Sequence, residues 1–120
     1  MSVQTTIESI VLNYLMGELG IGDVYMEVPR DDLPDRFVVL EKTGGRRSNH
    51  ISFATIAIQS YGQTLVDAVE LNEEVITAMD NLDDHPSIVH AAYSTDYNFT
   101  DTETKRYRYQ CVYDITYYSE

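Results

Sequence analysis

The chain predicts an α+β fold: one sheet of four to five strands, mostly antiparallel or mixed, with two α-helices packed on one face in the order α-β-β-β-α-β-β. Three observations carry this. Residues 51–60, ISFATIAIQS, hold no charge and are rich in Ile, Phe, Thr and Ala, which suits a central strand. They run through Tyr61-Gly62-Gln63 into a long amphipathic helix, which must fold back over the sheet. Residues 106–118 alternate strictly, with Tyr107, Tyr109, Cys111, Tyr113, Ile115 and Tyr117 on one side, the pattern of a half-buried strand. With 120 residues the chain is read as one domain, 1–120, able to hold a core without staples.

The elements follow in order. A first helix is expected over 5–19, where Thr5 and Glu8 make a capping box and Ile7, Ile10, Val11, Tyr14 and Leu15 an apolar stripe. Gly17 and Gly20 mark its end. Residues 23–28, DVYMEV, read as a short strand, and Pro29 to Pro34 as a turn. Strands at 36–42 and 51–60 form a hairpin with a long tip, Thr43 to Asn49, which its Gly and polar residues mark as a flexible loop. In the second helix Thr64 is the N-cap, with Asp67 at the third position as an acidic variant of the capping box. Leu65, Ala68, Val69, Asn72, Val75, Ile76 and Met79 are its expected apolar face, and Asp67, Glu70 and Glu74 the opposite one. Asn72 interrupts the stripe, and a buried amide requires partners. Asp83 to Pro86 stops regular structure, residues 87–93 read as a strand, and Ser94 to Thr104 as a long polar loop.

The net charge is −12, and its distribution says more than its total. Residues 63–86 carry seven acids and no Lys or Arg, while the eight bases sit between Arg30 and Arg47 and between Lys105 and Arg108. Such a chain does not bind nucleic acid across its surface, because phosphate recognition needs positive faces. Segregated charge suits contact between copies. The single Cys111 excludes an internal disulfide and fits a reducing compartment. The N-terminus has no basic residue before its apolar positions, unlike a signal peptide, and no apolar run approaches the ~20 residues that span a bilayer.

Catalytic motifs are missing from the sequence: there is no P-loop, GxGxxG or HExxH. His50, His85 and His90 lie at no metal-binding spacing, so neither a metal site nor a cofactor site is expected. Cys111, between tyrosines in a strand, reads as a small packing group, since a nucleophile needs a partner base. Asp31-Asp32 and Asp83-Asp84 adjoin prolines and read as solvated turns; Asn98-Phe99-Thr100 matches a glycosylation acceptor without any sign of secretion. Ten tyrosines and no Trp fit either a sheet–helix interface or a protein–protein interface.

Val24 to Pro29 (VYMEVP), FVVLEKTGG at 37–45, IAIQSYG at 56–62 and the C-terminal RYRYQCVYDITYY together resemble the tail terminator, or tail completion, proteins of tailed bacteriophages and prophages. The resemblance runs from about Ile7 to Tyr118 and lies in element order and apolar pattern. It implies a non-enzymatic virion protein without cofactors, made in the bacterial cytoplasm. Such a protein forms a ring, commonly a hexamer, on the head-proximal end of the tail tube. That ring stops tube polymerisation and offers a surface to the head-completion or neck proteins, and DNA passes through its centre without specific binding. No membrane is involved. Candidate contacts with neighbouring subunits or the tube are Arg46, Arg47, Asp67, Glu70, Glu74, Tyr97 and Phe99. Two other classes stay open: another phage neck or binding module, and a small enzyme using His90 or Cys111.

Overall fold

A computed structural model describes residues 6–103 and 106–119. The element order is the expected one, and the sheet has five strands in mixed orientation.

Helix α1 spans Ile7–Leu19. Its N-cap is Thr6, whose hydroxyl accepts from the Ser9 N–H at 3.2 Å; the expected cap at Thr5 lies outside the described residues. Gly17 sits inside the helix. Gly20 ends it in the left-handed conformation, φ 66°, which glycine adopts without steric cost, and donates to the Met16 carbonyl at 3.1 Å.

Strand β1 is only Val24–Tyr25, shorter than the expected 23–28, and pairs parallel with β2, Phe37–Arg47. Strand β3, Ile51–Gly62, pairs antiparallel with β2 on one side and with β5, Tyr107–Tyr118, on the other. Strand β4, Ile88–Asn98, forms the far edge, giving the order β1-β2-β3-β5-β4.

Two expected loops are strand instead. Thr43 to Arg47 continues β2 past a bulge between Lys42 and Gly44. Ser94 to Asn98 continues β4 past a bulge between Tyr93 and Thr95. Both segments border the sheet, where side chains and one backbone edge meet water. Polar sequence there is compatible with pairing, so composition alone misreads it.

Helix α2, Leu65–Met79, begins at Thr64, whose hydroxyl accepts from the Asp67 N–H at 3.1 Å. Gly62 makes the strand-to-helix turn possible: a Cβ there would lie 2.6 Å from the Ala68 nitrogen. The buried residues of α2 are Ala68, Leu71, Asn72, Val75, Ala78 and Met79. The expected stripe is therefore rotated, with Leu65 exposed and Val69 and Ile76 half-buried, because α2 packs on α1 as well as on β3 and β5. A 3-10 turn, η1 (Leu82–Asp84), leads to β4.

Both helices cover the same face. Ile7, Val11 and Leu15 of α1 and Leu71, Val75 and Met79 of α2 pack on Val38, Leu40, Ile56, Ile58, Cys111, Tyr113 and Ile115 in one core. Phe37, Val39 and Tyr61 point to the opposite face, where Tyr25, Val28 and Leu33 fold over them.

Candidate interaction surfaces

The face without helices carries a connected lattice of aromatic, amide and guanidinium groups. Phe37 and Tyr61, opposite each other on β2 and β3, stack with centroids 4.4 Å apart and planes within 8°. Arg108 on β5 donates from Nη1 to the Tyr61 hydroxyl at 3.0 Å and lies 4.4 Å over the Phe99 ring. Tyr97 and Phe99 meet edge to face. Tyr61 donates to Gln59 Oε1 at 3.2 Å, Gln59 donates to Gln110 Oε1 at 2.9 Å, and Gln110 donates to the Tyr97 hydroxyl. Alternation explains the convergence: odd residues of β3 and even residues of β5 share this face. Tyr97 and Phe99 are 40% and 39% exposed, so they present ring surface while their inner edges are held.

The basic residues lie at the other end of the sheet. Arg46 sits 4.2 Å over the Phe53 ring, and Arg47 is exposed at the last position of β2. The acids of α2 do not form one free strip. Asp67 is half-buried beside its cap, Glu70 is exposed, and Glu74 is ion-paired with Arg36 of the same chain. Arg46 and Arg47 border Ser52 and Phe53, whereas α2 starts beyond Gly62 at the opposite end of β3, so within one chain the two candidate groups are not brought together.

Another acidic group lines the β4 edge. Asn72 Nδ2 donates to Asp96 Oδ2 at 3.0 Å, which ties the polar break in the helix stripe to β4, while the buried Asn72 Oδ1 has no hydrogen-bond partner among the described residues. The Tyr93 hydroxyl donates to the other Asp96 oxygen, and this bond raises the phenol above its usual range. Burial pushes the Cys111 thiol up to about 12, with the Asp96 carboxylate adding to the effect. Cys111 is fully buried and held neutral, so its environment is the reverse of an activated nucleophile's. Asp83 binds the His90 ring at 2.9 Å and accepts the Ala91 N–H at 2.7 Å; the bond to His90 holds its carboxyl below the usual value.

His90 stands level with Thr116, five positions along β5 from Cys111, or ~17 Å at strand spacing, so the two residues considered for catalysis do not meet. Among the described residues no group of three or more His, Cys, Asp or Glu could hold a metal ion, and no helix is long and apolar enough to cross a membrane. Sequence reasoning picked out Tyr97 and Phe99 but missed Arg108, Gln59 and Gln110. Their signal was present in strand parity: all three fall on the side of their strands opposite the core.

No protein-family model matches the sequence, and no curated protein matches it. Among solved structures, the chain is similar to one in the virion of a native gene transfer agent particle. That match has a TM-score of 0.67 and 15% identity, and covers 88% of this chain and 84% of the other. At that identity the likeness is one of fold.

Proposed function

We propose that this chain is a structural virion protein, acting as a tail terminator: a ring, commonly of six copies, that caps the head-proximal end of a phage tail tube and offers the joining surface for the head. The observation that carries this reading is the fold likeness, over most of both chains, to a component of a gene transfer agent virion. The sequence resemblance to tail terminators points the same way.

The surfaces suit the task. A cyclic ring needs two different patches per subunit, joined head to tail. Arg46 and Arg47 form a basic patch at one end of β2, while acids dominate α2 and the β4 side. Tyr97 and Phe99, with Arg108 between Phe99 and Tyr61, form an aromatic platform suited to the tail tube or the neck protein. Asp67 and Glu70 remain candidates for the same partners. The protein works without cofactor or catalysis, and its acidity keeps transiting DNA from adhering.

The test is assembly. Sedimentation across protein concentrations and electron microscopy of purified protein should show a concentration-dependent oligomer and rings with a central hole. Reversing Arg46 and Arg47 to Glu should weaken the oligomer and leave the monomer folded, with no more than the loss of about 0.5–1 kcal/mol that the Arg46–Phe53 contact accounts for. Added salt should weaken the wild type likewise, since exposed charges are screened over roughly 8 Å at physiological ionic strength. A wild type that stays monomeric at high concentration and forms no ring on tail tubes refutes the proposal. Rings that bind only a head-completion protein, and no tube, would move the chain to another position in the neck.

A further inference from the structure

Among the described residues the sheet has two open edges, and their open stretches match. On β2, β1 pairs only with Val38 and Val39, so the edge from Leu40 onward has no strand beside it among the described residues. On β4, the Ala91 amide is occupied by the Asp83 carboxylate, so the open stretch starts at Ala92. The register places these stretches at one height. Leu40 is level with Ile58, Cys111 and Asp96 in turn; Lys42 with Ile56, Tyr113 and Tyr93; Gly44 with Thr55, Asp114 and Ala92.

The backbone directions match too. The Val38 N–H donates to the Asp23 carbonyl, away from β3, so by the period of two the Leu40 and Lys42 amides also point outward. On β4 the Ala91 amide points outward to Asp83, and Tyr93 follows it by the same period. The Phe99 amide points inward to the Arg108 carbonyl, so Asp96, an odd number of residues away, points outward; the bulge between Tyr93 and Thr95 reconciles the two ends. Strands β2 and β4 are separated by three antiparallel pairings and therefore run in opposite directions.

From this we infer that β4 of one copy adds to the open edge of β2 of the next, with Leu40 facing Asp96 and Lys42 facing Tyr93 as hydrogen-bonded antiparallel pairs. A rotation about an axis along the strands keeps every residue at its height, so the match needs no sliding. The addition is head to tail and repeats around a ring. It is bounded at one end by β1 and at the other by η1, whose Asp83 lies level with the side-chain-free Gly45 of the incoming strand through Ala91. Charge favours a second copy as the occupant. Lys42, Arg46 and Arg47 outnumber the single acid Glu41 on the β2 side, whereas β4 carries Asp96, is capped by Asp83 and has no Lys or Arg. The bulges at facing heights kink both edges, so a flat foreign strand fits neither. The inference rests on the ring reading above and names its interface.

Lys42→Cys and Tyr93→Cys are introduced singly and together. A hydrogen-bonded antiparallel pair holds its Cα atoms ~5.5 Å apart, within disulfide reach. Under diamide oxidation the double variant should give a covalent ladder ending in a closed ring, and each single variant should stay monomeric on a denaturing gel. Lys42→Pro, which removes an outward amide unused within the subunit, should keep the wild-type melting curve and weaken assembly at least tenfold. In hydrogen exchange, the Leu40, Lys42, Tyr93 and Asp96 amides should slow at least tenfold on assembly. If the wild type assembles but the double variant gives no ladder and these amides stay unprotected, the edge pairing is overturned and the ring reading stands. A single-cysteine variant that dimerises shows two-fold pairing and overturns the head-to-tail geometry. A wild type that never associates overturns both. If Lys42→Pro fails to fold, cross-linking and exchange decide.

Discussion

Replacing Ile115 by Ala tests the core where it has least capacity to repair itself. Ile115 is 1% exposed, on the face of β5 that meets the helices. Its cross-strand neighbours are Ala54 on β3 and Ala91 on β4, both too small to fill a void. The loss therefore includes most of the cavity term, placing Ile115→Ala at about 3–4 kcal/mol within the 2–5 kcal/mol range of such truncations. A 120-residue chain has about 6–18 kcal/mol of stability in total. The variant should stay folded and melt roughly 10–15 °C lower. Ile115→Asp adds an unpaired buried carboxylate and should unfold at neutral pH. Its folded-state pKa is raised, so the charge penalty is full above that value and recedes as pH falls toward about 4. Urea unfolding followed by circular dichroism measures both variants. An Ile115→Ala loss below about 1 kcal/mol would mean that β5 does not carry the core as described.

Three further outcomes are expected. Gly62→Ala should cost about 1–3 kcal/mol, because the new Cβ meets the Ala68 nitrogen and Asp67 Cβ at 2.6 Å, whereas Gly17→Ala, with nothing within 4 Å, should gain up to about 1 kcal/mol from helix propensity; thermal melts separate the two. Cys111 should resist thiol reagents in the folded protein, since burial lifts its pKa to about 12, and its labelling rate should rise in step with global unfolding as denaturant is added. The contact of Asp83 with His90 lowers the Asp83 pKa, so its small contribution is present above the ordinary carboxylate value and lost as pH falls through the lowered one. Asp83→Asn should therefore be slightly less stable than wild type near pH 6 and converge with it in acid, read from denaturation midpoints across pH.

The sequence by itself determined what depends on near neighbours along the chain. The cap at Thr64, the turn at Gly62, the central strand at 51–60 and the alternation of 107–118 were all legible, because a helix stripe or a strand face is written in a period of a few residues. Those periods also fixed the order and type of the elements. Tertiary structure decided what depends on residues far apart. Segments 43–47 and 94–98 carry the composition of loops, and they are strands because β3 and β5 supply their hydrogen-bonding partners. The buried side of α2 was set by α1 packing beside it, which brought Leu71 and Ala78 inward and left Leu65 in water. Asn72 looked anomalous until Asp96, 24 residues away, came within 3.0 Å. Glu74 looked free until Arg36 was placed against it. Local pattern sets which backbone a segment can adopt; which groups then meet across the sheet is set by register, and register is a property of paired strands that no single strand contains.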